Sequence, residues 1–230
     1  MGICLFSFAA CTCKVGTFHD NRHCLHLRDG LYLQNVTCTF NEGAFSAVIG
    51  TSGSGKTTLL SIMAGLDKPT AGKVYIDGED VFSLDLDLYR REYVSMIFQA
   101  FQLFPMLTAL ENVSYPLQLN GANKEQAVAR ARTLLEAVDI SAEKHGRYPS
   151  NLSGGEQQRV AIARALASGA RVLLADEPTG NLDSTNGENV INILRRLAHH
   201  EGYCVIVVTH NSSIAESSDA VFTMKDGVLA

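Results

Sequence analysis

The stretch Phe45–Leu60, FSAVIGTSGSGKTTLL, decides the fold. An apolar, β-favouring run leads into Gly50-x-x-x-x-Gly55-Lys56-Thr57, and a helix-competent run follows at once. In that context the pattern predicts a phosphate-binding loop between a buried strand and a helix. Gly50, Gly53 and Gly55 permit backbone angles denied to other residues. The N–H groups of Gly50, Thr51, Ser52, Gly53, Ser54 and Gly55 can therefore surround an anion at a helix N-terminus. Lys56 supplies a point charge for the β- and γ-phosphates, and the Thr57 hydroxyl is a ligand for a bridging Mg2+. Thr58 belongs to the helix and closes the nucleotide-contacting run. A Gly/Ser linker that happens to hold a lysine is the competing reading, but such a linker rarely follows a buried strand and opens an apolar helix.

The chain has 230 residues, enough for one domain with a subdomain attached and no need of disulfides. Its net charge of −5 argues against nucleic acid as a partner, because a broad nucleic-acid footprint calls for a basic excess. No apolar run approaches the roughly 20 residues that span a bilayer as a helix. The expectation is a chain soluble on its own, with any membrane role supplied by a partner. The opening MGICLFSFAACTCK alternates like an edge strand of a small sheet. Phe8-Ala9-Ala10-Cys11 faintly resembles a lipoprotein cleavage site, but no basic residues precede it. Six cysteines (Cys4, Cys11, Cys13, Cys24, Cys38, Cys204) form no C-x-x-C pair, so reduced thiols are expected and zinc is not. Cys11-x-Cys13 alone merits a metal assay.

Residues 1 to 44 read as an antiparallel β layer, with Leu33 to Phe40 its clearest strand. The loop helix is expected from Lys56 to about Leu66. Lys73 to Ile76 with Asp77-Gly78 predicts a hairpin, and Val94 to Phe98 another buried strand. From Pro105 the texture turns helical. Thr108-x-x-Glu111 is a capping box, and Asn123 caps a helix whose Ala127, Ala131, Leu134, Leu135 and Val138 share a face. This insert, about residues 100–155, ends near Ser153-Gly154-Gly155, where a helix to Ala167 begins. Arg171 to Ala175 and Cys204 to Thr209 are continuous apolar strands. Between them a helix from Thr185 to His199, opened by Thr185-x-x-Glu188, makes a parallel strand-helix-strand unit. Asp226-Gly227 closes a last hairpin.

Ligands gather at the C-terminal ends of parallel strands. Asp176, at such an end, suits Mg2+ opposite Thr57, and Glu177 suits a general base for the attacking water. Asp-Glu-Pro is also good turn chemistry. Gln99 ends another strand and reads as a sensor of Mg2+ or water, or as a plain surface residue. His210 ends a third, as a hydrogen-bond donor to the γ-phosphate or as a cap before Asn211. Leu152-Ser153-Gly154-Gly155-Glu156 offers a hydroxyl and two glycine N–H groups at a helix start, which serves an anion or a simple N-cap. One nucleotide does not need two phosphate turns in one chain, and that points to a dimer.

The phosphate loop, Gln99, LSGGEQQR (152–159), VLLADEP (172–178), NLDS (181–184) and His210 occur in the order of an ABC-type ATPase, which the chain resembles along essentially its whole length. The runs SMIFQAFQLFPMLTALENV (95–113) and LADEPTGNLDS (174–184) resemble the macrolide-exporter, lipoprotein-releasing and antimicrobial-peptide-exporter branch. The resemblance implies an α/β P-loop nucleotide hydrolase, one domain over 1–230. Its core sheet is mixed and mainly parallel, with an N-terminal antiparallel layer and the helical insert. It implies ATP and Mg2+, bound in a head-to-tail dimer. Ser153, Gly154 and Gly155 meet the nucleotide on the partner's loop, and Asp183 couples the two sites. Thr57, Gln99 and Asp176 hold the metal, while Glu177, Gln99 and His210 serve catalysis. It also implies an integral membrane permease, received at the insert and the Gln99 loop on the cytoplasmic face. A cell-division-associated signalling ATPase shares every motif. The family's adenine-stacking tyrosine is missing: Cys13-Lys14-Val15-Gly16 fills its place, and Phe18 is the nearest aromatic, with His19 and His23 as alternatives.

Overall fold

The computed structural model describes residues 5–11, 33–34 and 36–230. The described chain begins with β1 (Leu5–Cys11), β2 (Val36–Asn41) and β3 (Phe45–Ile49), then α1 (Lys56–Met63). A hairpin, β4 (Lys73–Ile76) and β5 (Glu79–Asp80), precedes α2 (Leu86–Glu92) and β6 (Val94–Ile97). Three helices follow: α3 (Ala109–Leu119), α4 (Lys124–Ala137) and α5 (Gly154–Ala167). The chain ends with β7 (Val172–Asp176), α6 (Ser184–Glu201), β8 (Cys204–Thr209), α7 (Ser212–Glu216), β9 (Ala220–Lys225) and β10 (Val228–Leu229).

The larger sheet has the order β10-β9-β3-β8-β7-β6. All its pairings are parallel except β10 with β9. Strands covered on both faces read as continuous apolar runs, as β7 and β8 do. Alternate residues go to opposite faces. Leu173, Ala175, Val205 and Val207 pack with α3 to α6, whereas Val172, Leu174, Ile206 and Val208 pack with α1, α2 and the smaller sheet. Burying each valine, leucine or isoleucine among them stabilises the fold by about 1.5–3 kcal/mol.

The smaller sheet corrects two expectations. Its order is β2-β1-β4-β5, so the opening strand is interior rather than an edge, antiparallel to β2 and to β4. The layer is also not wholly N-terminal, because the Asp77-Gly78 hairpin completes it from the far side of α1. Short-range alternation shows that a strand exists but not how many neighbours it pairs with. Several boundaries move by a few residues. The strand expected from Leu33 is Val36–Asn41, and α1 stops at Met63, ahead of Gly65 in the left-handed region.

Helix starts follow local chemistry. Thr108 with Glu111 and Ser153 with Glu156 form the two reciprocal capping boxes, and Asn123 accepts from the Gln126 N–H. The cap of α6 is Asp183, not Thr185, so the helix starts at Ser184 and runs to Glu201. Ala127, Ala131, Leu134, Leu135 and Val138 are all buried.

Candidate active site

The loop from Gly50 to Gly55 joins the end of β3 to α1 in the middle of the parallel sheet. Gly53 (φ +79) and Gly55 (φ +108) occupy angles that L side chains rarely adopt. Gly50 answers a different need: a Cβ there would lie 2.2 Å from the Met224 carbonyl oxygen of β9, so space rather than angle requires glycine. The Ser54 carbonyl accepts from the Gly227 N–H at 2.9 Å, which fastens the loop to the last hairpin. Lys56 is buried, and its Nζ donates to the Gly50 and Thr51 carbonyls at 2.9 Å each. The lysine thus arches over its own loop.

Among the described residues, α1 is the one α-helix of the seven without a side-chain cap. Asp85, Thr108, Asn123, Ser153, Asp183 and Asn211 cap the others. Its first turn carries no acidic residue. Its leading N–H groups and the positive end of its dipole face the glycine loop, an arrangement that suits a phosphate.

Opposite this loop stand the ends of β7 and β8. The Thr57 hydroxyl donates to Asp176 Oδ1 at 3.3 Å. Burial pushes the Asp176 carboxyl above its ordinary pKa, opposed by the Thr57 hydroxyl, raised further by the neighbouring Glu177 and opposed by Lys56. A pair of hard oxygen donors at a strand end suits Mg2+.

Glu177 has φ +46, left-handed for a non-glycine residue, and its N–H donates to Val208 at 2.9 Å. Both of its side-chain oxygens are engaged. Thr209 Oγ1 donates to Oε2 at 3.2 Å, and His210 Nδ1 lies 2.8 Å from Oε1. His210 is largely exposed.

Gln99 stands against the loop after β7: its Nε2 donates to Asn181 Oδ1 at 3.3 Å, and Asn181 Nδ2 returns a bond to the Gln99 carbonyl at 3.0 Å. A Cβ on Gly180 would lie 2.6 Å from that Gln99 nitrogen. Ser153 is the N-cap of α5, accepting from the Glu156 N–H at 3.3 Å while Glu156 Oε2 accepts from the Ser153 N–H at 2.8 Å. That cap uses the Glu156 N–H and leaves those of Gly154 and Gly155 outside it. Gly155 presses on α6, where a Cβ would meet Asn186 Oδ1 at 2.4 Å. Asn186 in turn donates to both oxygens of Asp183, from its backbone at 2.9 Å and its side chain at 2.7 Å.

The structure therefore brings Lys56, Thr57, Asp176, Glu177 and His210 together in one contiguous set. Ser153 to Gly155 and Asp183 form a second set, joined to one another through Asn186. Asn181, Asn186 and Thr209 carry the connections, and the sequence reading missed all three. Asn186 holds nearby Asp183, whereas Asn181 and Thr209 hold the distant Gln99 and Glu177; closeness in sequence to Asp183 or His210 was the available signal. Phe18, His19 and His23 lie outside the described residues.

The family model described as ABC transporter matches residues 33–180. The chain belongs to the ABC transporter family. Within it, this ATPase cassette is 44% identical over 211 residues to the lipoprotein-releasing system ATP-binding protein LolD of Shewanella frigidimarina, covering 89% of this chain and 88% of that one. It is 43% identical over 218 residues to the macrolide export ATP-binding/permease protein MacB of Brucella melitensis. That match covers 94% of the cassette and 32% of MacB, so the cassette spans about a third of that relative. A dimeric, post-hydrolysis structure of the ATP-binding cassette MJ0796 with ADP and Pi superposes with a TM-score of 0.81 at 37% identity, covering 98% of this cassette and 96% of that one. The MJ0796 protein is from Methanocaldococcus jannaschii. The branch expected from the motifs and the mixed, mainly parallel sheet both hold. No helix among the described residues is long and apolar enough to cross a membrane.

Proposed function

We propose that the chain binds and hydrolyses ATP as the motor subunit of a transporter, working as a head-to-tail dimer on an integral membrane permease. The observation that carries this reading is the convergence of Thr57, Asp176 and Glu177 beside an uncapped α1. The phosphates lie in the loop of Gly50 to Gly55, with Lys56 on the β- and γ-phosphates and Thr58 at the start of α1. Thr57, Asp176 and Gln99 would hold Mg2+, which when bound would neutralise phosphate charge.

Glu177 takes a proton from the attacking water. The water oxygen bonds to the γ-phosphorus as the bond to the bridging oxygen breaks, and ADP departs. Thr209 and His210 keep the carboxylate aimed. Ser153, Gly154 and Gly155 of the partner close over the γ-phosphate from the opposite side, and Asp183 lies at the shared face.

The dimeric MJ0796 cassette supports this assembly, and the lipoprotein-releasing and macrolide-export relatives support a membrane permease as the load. The subunit sits at the cytoplasmic face, held there by the permease. The permease meets the insert and the loop after Gln99, where Phe104, Met106 and Tyr115 are exposed. Export or lipoprotein and peptide handling is the matching task.

The test is phosphate release from ATP by the whole chain at increasing protein concentration, with and without EDTA. Specific activity is expected to rise with concentration and to vanish with EDTA. Undiminished specific activity in a dilute monomer would overturn the shared site.

A further inference from the structure

Phe101 and Gln102 are consecutive non-glycine residues in the left-handed region, at φ +57 and +49. There the Cβ crowds the following carbonyl, and strained residues of this kind persist only where the surroundings hold them. The surroundings here are α5. Arg164, about three turns beyond Ser153, donates from Nη1 to the Gln102 carbonyl at 2.6 Å and from Nη2 to the Phe101 carbonyl at 3.2 Å. Its guanidinium lies 5.9 Å from the centre of the Phe104 ring, which meets Tyr115 of α3 edge-on at 5.6 Å.

Gln158 grips the other end of the same loop, donating to the Phe98 carbonyl at 3.4 Å. Gln99 lies between these two grips. The Phe101 ring stands beside the start of α5, 3.7 Å from where a Cβ on Gly154 would be. One cation therefore joins three things: the turn that follows Gln99, the helix that begins with Ser153, and the aromatic pair on the insert.

We infer that Arg164 is a positioning residue for hydrolysis: by holding the Phe101 and Gln102 carbonyls it fixes the left-handed turn and so aims the Gln99 amide. The inference rests on the reading of Gln99 given above. Here the two carbonyls are met by two different nitrogens of one rigid plane, Nη1 and Nη2, a fixed spacing that a single lysine nitrogen on the same stem does not reproduce. Without the fork the turn relaxes toward ordinary angles, and Gln99 moves with it.

The test measures kcat and KM for ATP in the whole chain for Arg164→Ala, Arg164→Lys, Gln99→Ala and the double alanine variant. Because displacement by about 1 Å costs on the order of 100-fold in rate, Arg164→Ala is expected to lose about 10- to 100-fold in kcat, with KM changed by less than about threefold. Added methylguanidinium at millimolar concentration restores part of that rate. The double variant is no slower than the slower single one, because both act through the same amide. Arg164→Lys stays at least about tenfold down although its charge is kept.

Parental kcat in Arg164→Ala beside a slow Gln99→Ala overturns the inference alone, as does a double variant whose losses multiply. Parental kcat in Gln99→Ala removes the reading of Gln99 and with it the route from Arg164. If melting shows that Arg164→Ala does not fold, Arg164→Lys decides: a slow rate with parental KM supports the inference, and parental kcat overturns it.

Discussion

His210 Nδ1 lies 2.8 Å from Oε1 of Glu177, across the ends of two neighbouring parallel strands. With its Nδ1 proton on that carboxylate, a neutral His210 presents only an acceptor at Nε2. Donating to a phosphate as well would require the imidazolium. The expectation that His210 donates to the γ-phosphate therefore gains a second duty, orienting Glu177. His210→Ala should reduce single-turnover phosphate release about 10- to 100-fold while leaving ATP affinity unchanged, and His210→Gln, which keeps a donor, should retain more. Glu177→Gln should lose about 10²–10⁴-fold and accumulate an ATP-bound dimer on size exclusion. Equal rates for parent and His210→Ala would show that the contact does not aim the base.

Lys56→Ala removes the cation that bridges the Gly50 and Thr51 carbonyls and leaves the loop without its phosphate charge. ATP binding by calorimetry should disappear while the melting temperature stays near that of the parent. Retained tight binding would remove the loop from the site.

Ser153→Arg places a long cation where a hydroxyl caps α5. Nucleotide binding by the monomer should be intact and hydrolysis lost, because the proposed dimer sets this turn against the nucleotide of the opposite subunit. Gly155→Ala should act similarly through Asn186, whose Oδ1 would lie 2.4 Å from the new methyl. Normal turnover in Ser153→Arg would exclude this turn from the reaction.

Glu156 couples pH to stability. Its bond to Lys144 Nζ, 2.7 Å, together with the Ser153 cap, outweighs burial and holds its pKa below 4.5 in the folded chain. A folded pKa below the unfolded one contributes stability that is complete above the unfolded value and is lost as pH falls through the folded value. Glu156→Gln should therefore cost about 1 kcal/mol at pH 7 by urea melts. The gap between variant and parent should close as pH falls below 4.5. A gap independent of pH would assign the loss to packing.

Much of the frame was legible because it is local. The strand before Gly50, the apolar runs of β7 and β8, and the caps Thr108, Asn123 and Ser153 each depend on residues within a turn or two of themselves. The choice of Asp183 over Thr185 as cap was not legible. Both residues have the capping chemistry, and the path of the chain out of β7 selects between them. The inner place of β1 was hidden for a related reason: its second neighbour, β4, lies more than 60 residues downstream.

Taken alone, the sequence determined the glycine loop between β3 and α1, the acidic pair at the end of β7 and the order of the motifs, since glycine angles, charge and hydrophobic period are properties of short segments. Tertiary structure alone decided which groups meet. Strand order brings Glu177 to Thr209 and His210, and α5 brings Arg164 to a turn some 60 residues earlier. Such contacts depend on which strands and helices become neighbours when the core closes, and no local pattern encodes that.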